Sequence, residues 1–201
     1  LDALAMLKNR GRDFRMVFVG GGGDYDEVTA YSKELGLTDK VFFAGPQSDR
    51  EKLRAWYCRA DLFLFPSTFD TNGLVVREAA ACGLGSVLIA GSCAAEGVTD
   101  GRNGLLIEEN AQSMAACLEK LPKPAMASIG EHAQRELYLS WEEAVGAARE
   151  RYEIVMDRYR SGAYAPHKKA LEPVFKASGE LMEGLARLEE RRDELHKQLS
   201  S

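Results

Sequence analysis

The sequence lacks any long apolar segment. No uninterrupted run reaches the roughly 18 apolar residues that a membrane-spanning helix needs, so no transmembrane helix is predicted. A secretory signal peptide is not predicted either, because the first residues, LDALAMLKNRGRDF, have the spacing of an amphipathic helix with Ala3, Leu4 and Leu7 on one face. The chain opens inside this helix without Met or a capping residue, and we expect its natural start to lie upstream.

The sequence also lacks an excess of basic residues and a paired-cysteine motif. Its 26 Lys and Arg against 31 Asp and Glu give a net charge of −5, which argues against a nucleic-acid partner. Cysteines 58, 82, 93 and 117 form no CxxC pair and have no histidine at ligand spacing, which argues against zinc. Four scattered thiols in apolar surroundings predict reduced core residues of a cytosolic protein.

Two common nucleotide-binding motifs are missing as well. The run GGGG at 20–23 follows an apolar segment and precedes a helical one, but it is not GxGxxG. There is no P-loop lysine, and no ribose-binding acid about 20 residues further on. NAD binding and ATP hydrolysis are therefore disfavoured. Gly21 and Gly22 either allow a nucleotide to approach the backbone closely or form a flexible turn.

Short apolar runs alternate with helical patterns over the first half of the chain. The runs are continuous, as expected of parallel strands covered on both faces, and the alternation predicts an α/β fold with a Rossmann-like, doubly wound parallel sheet. Ser48 and Glu51 predict a capping box, and Gly36 and Gly83 predict helix ends. The predicted strands are 16–19, 41–45, 61–66, 86–91 and 104–107, and the predicted helices are 26–37, 48–60 and 73–83.

After residue 107 the patterns are helical only. Three helices follow, and then 162–173, with two prolines and a glycine, predicts a break. We therefore divide the chain into a domain at 1–160 and a linker with a C-terminal amphipathic helix at 161–201. That helix either dimerises or packs on its own protein, since its leucine stripe covers roughly three heptads. The stripe consists of Leu181, Leu185, Leu188, Leu195 and Leu199.

The most informative segment is FPSTFDTNGLVVREAAACG at 65–83. Loops that follow parallel strands meet at one edge of the sheet, where open α/β sheets bind ligands. The amides of Gly73 and Leu74 would open a helix and attract a phosphate, and Asp70 could accept hydrogen bonds from hydroxyls. Glu78 is either a solvated surface residue or an acceptor for a diol such as a ribose. Together these features predict a nucleotide sugar.

These residues resemble the E-x7-E signature of the retaining, GT-B-fold glycosyltransferases of family 4, present here as Asp70-x7-Glu78. Three further segments agree with the family in order and spacing: FVGGGGD, VFFAG and DGRNGLLI. The resemblance covers roughly residues 1–150 and is to the nucleotide-binding, C-terminal half of such enzymes. It implies one half of a GT-B fold with extra C-terminal helices.

The resemblance also implies a role for each matching residue. Glu78 would hold the ribose hydroxyls, Asp70 would touch the donor sugar, and the two would be the catalytic pair. Glu96 matches an acidic position of the family without a firm role. The family needs no metal, because helix amides and cations neutralise the pyrophosphate, and no cofactor beyond its substrate, a UDP- or GDP-sugar. The implied donor-binding set is Gly21, Gly22, Asn72, Gly73, Leu74 and Glu78.

The sequence departs from the family pattern in three ways. Asp70 is one methylene shorter than the usual Glu, and Asn72 replaces an aromatic residue in a DTNGL motif that hints at a lipid acceptor, the alternative being a glycan. The family's pyrophosphate-binding Arg and Lys, a central strand and the acceptor domain would precede residue 1. The resemblance therefore implies an inactive fragment with a gap in the sheet or an unpaired sheet edge, which we expect either to associate with further copies or to rearrange near residues 1–20. The full-length enzyme would be cytoplasmic or peripheral to the inner face of the membrane.

Two other functions stay open at this stage. One is a non-enzymatic assembly module that uses the C-terminal heptads, with both carboxylates merely solvated. The other is a GT-B-type sugar-nucleotide epimerase, which is disfavoured because the motif spacing follows the transferases. Histidines 132, 167 and 196 fall in helical or linker segments, and we assign them no catalytic role.

Overall fold

The computed structural model describes residues 1–163 together with Pro173 and Lys176. The chain forms two compact units, Leu1–Leu139 and Ser140–Ser201. The division that we predicted from sequence lies after residue 160, so the helix just before it belongs to the second unit and not to the first. Most of the predicted break at 162–173, and the leucine stripe at 181–199, fall outside the described residues.

The first unit alternates strands and helices as predicted. Its helices begin and end within a few residues of their predicted bounds. Within residues 1–163, no helix is both long enough and apolar enough to cross a membrane. The strands are β1 (Met16–Val19), β2 (Val41–Gly45), β3 (Phe63–Phe65), β4 (Ser86–Ile89) and β5 (Leu105–Ile107); the helices are α1 (Asp2–Asn9), α2 (Tyr25–Glu34), α3 (Arg50–Arg59), α4 (Leu74–Ala81), α5 (Ala111–Lys120) and α6 (Lys123–Glu136), with a 3₁₀ turn at Cys93–Ala95 and α7 (Trp141–Arg160) in the second unit.

The strands form two parallel sheets, β1-β2 and β3-β4-β5. Among the described residues, β1 and β3 each pair along one edge only, whereas β4 pairs along both and is buried throughout. The parallel pairing confirms the predicted α/β class, and the expected association of copies or rearrangement near residues 1–20 stays a prediction.

The predicted apolar face of helix α1 is buried in the hydrophobic core beside the β1-β2 sheet. Ala3, Leu4 and Leu7 are the buried residues of the helix, and they pack with Leu37 and with Ala115 of α5. Helix α5 also closes the core of the second sheet, because its Met114 and Leu118 contact both clusters. A single helix thereby covers both halves of the first unit.

The predicted capping box at Ser48 is wrong. Helix α3 is capped by Asp49, whose Oδ1 accepts hydrogen bonds from the Glu51 amide at 2.9 Å and the Lys52 amide at 3.3 Å. Ser and Asp are comparable N-cap residues, and the adjacent carboxylate takes this position one residue later. The helix ends predicted at Gly36 and Gly83 are confirmed, since both adopt positive φ, 67° and 70°.

The expectation that all four cysteines are core residues is wrong for two of them. Cys58 and Cys93 are exposed, whereas Cys82 and Cys117 are partly buried, and all four are unbridged. Cys58 is exposed because α3 lies on the surface, with none of its residues fully buried.

Candidate functional site

The loop after β3 turns into α4 at Gly73, a position that suits only glycine. Its backbone is left-handed, with φ 59° and ψ 37°, a conformation that side chains rarely adopt. A Cβ here would also lie 3.1 Å from Ala94 Cα. The N-terminus of α4 therefore rests directly on the turn at 93–95, and the structure brings the 67–73 and 91–97 loops together.

Asp70 points back into this turn. Its Oδ1 accepts a hydrogen bond from the Asn72 amide at 2.8 Å and another from the Gly73 amide. The carboxylate is partly buried and lies at the positive end of the α4 dipole, which stabilises a negative charge. In this structure the Asp70 carboxylate thus accepts a hydrogen bond from the Gly73 amide, one of the two amides that we expected to bind a phosphate.

Glu78 lies one turn further into α4 and is exposed. Its Oε2 accepts a hydrogen bond from the Tyr57 hydroxyl at 3.4 Å. Burial, followed by the charge and hydrogen bond of Glu78, raises the pKa of Tyr57 to about 12. The phenol therefore stays protonated at neutral pH and donates a hydrogen bond to the carboxylate.

Sequence analysis missed Tyr57. The residue belongs to an aromatic pair, Trp56-Tyr57, that in a helix next to a strand is typical of core packing. Tyr57 does pack edge-to-face on Phe63 of β3, with ring centroids 5.6 Å apart. Its polar end nevertheless reaches Glu78, and no spacing pattern relates positions 57 and 78, because α3 and α4 meet only in the folded chain.

The glycine loop lies at the end of the β1-β2 sheet. The Gly20 amide donates to the Gly45 carbonyl at 3.0 Å, and a Cβ at Gly21 would lie 3.2 Å from Pro46 Cγ. Gly21 and Gly22 are exposed next to the loop that follows β2. The predicted site residues thus fall into two groups: Gly21 and Gly22 at the end of the first sheet, and the residues from Asp70 to Glu78 at the second.

Arg77 is held away from its neighbour Glu78. Its Nη1 donates to the Leu137 carbonyl at 2.9 Å, which ties α4 to the end of α6. Arg77 lines a small cavity of about 10 Å³ with Gly73 and Glu96. The arginine therefore brings a cation beside the N-terminus of α4, and Glu96 lies exposed on the opposite loop.

A larger cavity of about 210 Å³ lies between the start of α1 and the ends of β3, β4 and β5. Sequence analysis did not find it. Its lining includes three acidic residues, Asp2, Glu108 and Glu109. None of the residues predicted to bind the donor lines this cavity.

The residues that form these two sheets and their loops match a known family model. The model describes the glycosyl transferases group 1, and the match covers residues 1–134, about two-thirds of the chain. The chain belongs to this family. All the predicted site residues, including Asp70, Glu78 and Glu96, lie inside the matched part.

Named relatives agree with this assignment. A D-inositol 3-phosphate glycosyltransferase of Mycolicibacterium smegmatis is 34% identical over 141 residues, which is 68% of this chain and 32% of the relative. A second protein of that name, from Mycobacteroides abscessus, is 39% identical over 111 residues, or 53% of this chain and 25% of the relative. The chain thus spans about a third or less of the length of these relatives.

Solved structures agree in fold. Anabaena HepE, solved in complex with UDP and glucose, superposes with a TM-score of 0.54 at 30% identity over 67% of this chain and 37% of its own. The C-terminal domain of a group 1 glycosyl transferase, LpcC of Francisella tularensis, gives 0.59 at 23% identity, over 68% of this chain and 74% of its own. The first unit is therefore a Rossmann-like domain of the kind found in GT-B glycosyltransferases.

No group of three or more His, Cys, Asp or Glu side chains within the described residues is arranged to hold a metal ion. Independence from metal stays a prediction.

Proposed function

We propose that this chain is the donor-binding half of a retaining, family 4 glycosyltransferase, and that it binds a nucleotide sugar. The observation that carries the proposal is the turn into α4. A left-handed Gly73 opens the helix on the 93–95 turn, Asp70 lies at its N-terminus, and Glu78 follows one turn later. The family match and the fold shared with HepE, which was solved with UDP and glucose, support it.

Three parts of this turn contact three parts of the donor. The carboxylate of Glu78, oriented by Tyr57, accepts hydrogen bonds from the two ribose hydroxyls. The amides of Gly73 and Leu74 bind the distal phosphate, as helix N-termini do for anions generally. Asp70 accepts hydrogen bonds from the hydroxyls of the transferred sugar.

The present position of Asp70 adds one step to binding. Because its Oδ1 holds the Gly73 amide, a phosphate reaches that amide only when the carboxylate turns away. Repulsion between the phosphate and the Asp70 carboxylate favours this rotation of the side chain. The freed carboxylate then faces the sugar hydroxyls. The aspartate thus occupies the site in the empty protein and contacts the sugar in the complex.

The remaining features of the proposal follow from the family. Gly21, Gly22 and Asn72 line the donor site, and the leaving diphosphate is stabilised by amides and cations without a metal. A separate domain of the whole protein binds the acceptor, and we propose a glycan or a lipid as acceptor. The relatives' name, D-inositol 3-phosphate glycosyltransferase, shows that a phosphorylated cyclitol is a third class to test. We place the whole protein in the cytoplasm or at the inner face of the membrane.

Calorimetric titration with UDP, GDP and ADP tests the donor site directly. We expect one of the three to bind, and the matching nucleoside monophosphate to bind more weakly because it lacks the distal phosphate. Equal affinity for the mono- and diphosphate would contradict a phosphate site at Gly73 and Leu74. Lack of binding by all three, repeated on the full-length protein, would contradict the proposed function.

A further inference from the structure

Asp70 and the distal phosphate of the donor require the same hydrogen-bond donor, the Gly73 amide. In the structure this amide donates to Asp70 Oδ1, which also accepts from the Asn72 amide at 2.8 Å. A phosphate at the N-terminus of α4 is held by the amides that the first helical turn leaves without a partner. Because each residue has a single backbone N–H group, the carboxylate and the phosphate compete for the one at Gly73.

The backbone of Gly73 is fixed, so it cannot relieve this competition by moving. Gly73 is buried, and a Cβ there would lie 3.1 Å from Ala94 Cα. Its carbonyl accepts hydrogen bonds from the Val76 amide at 2.9 Å and the Arg77 amide at 3.2 Å. The side chain of Asp70, in contrast, rotates about its own single bonds. It is therefore the carboxylate that leaves when a phosphate binds the amide.

The length of the side chain at position 70 decides whether this contact forms. Asp70 accepts from the amides two and three positions further along the chain, a local turn that short polar side chains favour. A Glu side chain has one more methylene, which carries its carboxylate beyond this turn and keeps the charge. The shorter acid, by which this chain departs from the E-x7-E signature, is thus the one that reaches the Gly73 amide.

We propose that Asp70 discriminates between the nucleotide-sugar donor and the nucleoside diphosphate product, and that it displaces the product after transfer. The inference rests on the proposed function, because it takes the N-terminus of α4 as the phosphate site. It adds a second role to Asp70, which then determines specificity for the donor as well as contacting the sugar.

Donor and product differ in what the displaced carboxylate can bind. With the donor, Asp70 loses the Gly73 amide and gains the hydroxyls of the sugar, so its hydrogen bonds are replaced. With the diphosphate alone there are no sugar hydroxyls, and the carboxylate faces the phosphate charge without a hydrogen-bond donor. Return of Asp70 to the Gly73 amide restores its hydrogen bond and removes the repulsion, which favours release of the diphosphate.

Calorimetric titration of Asp70 variants of the full-length protein tests the proposal. The ligands are UDP, GDP and ADP, together with UMP, GMP and AMP, which lack the distal phosphate. For the base that binds, we expect Asp70→Ala and Asp70→Glu to bind the diphosphate about tenfold more tightly than the wild type, because a charged acceptor no longer competes for the Gly73 amide. Affinity for the monophosphate is expected to stay unchanged.

Two controls separate lost competition from lost charge. Asp70→Glu keeps the carboxylate, so its tighter binding cannot come from a change in net charge. Asp39→Asn removes one negative charge at an exposed position just before β2, at the end of the sheet opposite to the carboxyl ends of the strands, and we expect wild-type affinity. UDP-glucose, GDP-mannose or ADP-glucose, chosen by base, supplies the second readout. Asp70→Ala is expected to bind this nucleotide sugar more weakly than the wild type, which is the opposite of its effect on the diphosphate.

The outcomes distinguish failure of this inference from failure of the proposed function. Diphosphate affinity that is unchanged or weaker in both Asp70 variants would overturn the inference, while binding by the wild type would still support the proposed function. Equal tightening of the mono- and diphosphate, or an unchanged ratio of nucleotide-sugar to diphosphate affinity, would overturn the inference as well. Lack of binding of every nucleotide by the wild type would overturn both.

Discussion

The variant Glu78→Gln is expected to bind a nucleoside diphosphate about tenfold to a hundredfold more weakly than the wild type. Hydrogen bonds to a charged group contribute about 1.5–3 kcal/mol, and each 1.4 kcal/mol is about a factor of ten in affinity. Gln keeps the shape and one acceptor oxygen of Glu78, but it removes the charge and places an amide donor against the ribose hydroxyls. Calorimetric titration measures the change.

A matched control separates this effect from a general loss of charge. Glu131 is an exposed glutamate of α6 that forms an ion pair with Arg135 at 3.8 Å. Glu131→Gln changes the net charge of the chain equally, and we expect it to leave the affinity unchanged. Because Glu78 is exposed, its variant is also expected to melt at the wild-type temperature. Equal affinity in Glu78→Gln and wild type would show that Glu78 does not contact the nucleotide.

The second large effect is expected at Gly130, where α6 crosses the backbone of the turn before β4. A Cβ at this position would lie 2.0 Å from the Gly83 carbonyl oxygen and 2.9 Å from the Gly83 carbonyl carbon. Both of these atoms belong to the backbone and cannot rotate away as a side chain can, so α6 must move away from the turn. We expect Gly130→Ala to cost about 1–3 kcal/mol of folding free energy and to lower the melting temperature by about 2–12 °C.

Gly146 provides the control for this variant. It also lies in a helix, α7, and a Cβ there would meet no atom within 4 Å. Alanine is a better helix former than glycine by about 1 kcal/mol, so Gly146→Ala is expected to leave the melting temperature unchanged or to raise it slightly. A Gly130→Ala variant as stable as wild type would contradict the close approach of α6 to the 83–85 turn.

The strand–helix alternation could be predicted from the sequence because apolar periodicity is a local property. Strands β1 and β2 have the predicted bounds, and Ala3, Leu4 and Leu7 form the predicted buried face of α1. Choices between adjacent residues with similar chemistry could not be predicted. Asp49 and not Ser48 caps α3, since both residue types favour an N-cap and only the folded backbone distinguishes them.

In the candidate site, too, the local features could be predicted from the sequence and the contacts between distant segments could not. The turn from Asp70 to Gly73 is local, and the sequence alone indicates an acid beside a helix N-terminus. Two hydrogen bonds of the site join distant parts of the chain. Tyr57 donates to Glu78, and Arg77 donates to the Leu137 carbonyl. These contacts depend on how α3 and α6 pack against α4, which no pattern within one segment indicates.

Amide chemical-shift mapping with UDP, GDP and ADP tests whether the N-terminus of α4 is the phosphate site. For the nucleotide that binds, we expect the largest shifts at Asn72, Gly73 and Leu74. The Gly73 amide is expected to move most, as Asp70 releases it to the phosphate. Shifts confined to the cavity at Pro66, Ile89 and Glu108, with an unchanged Gly73 signal at saturation, would contradict it.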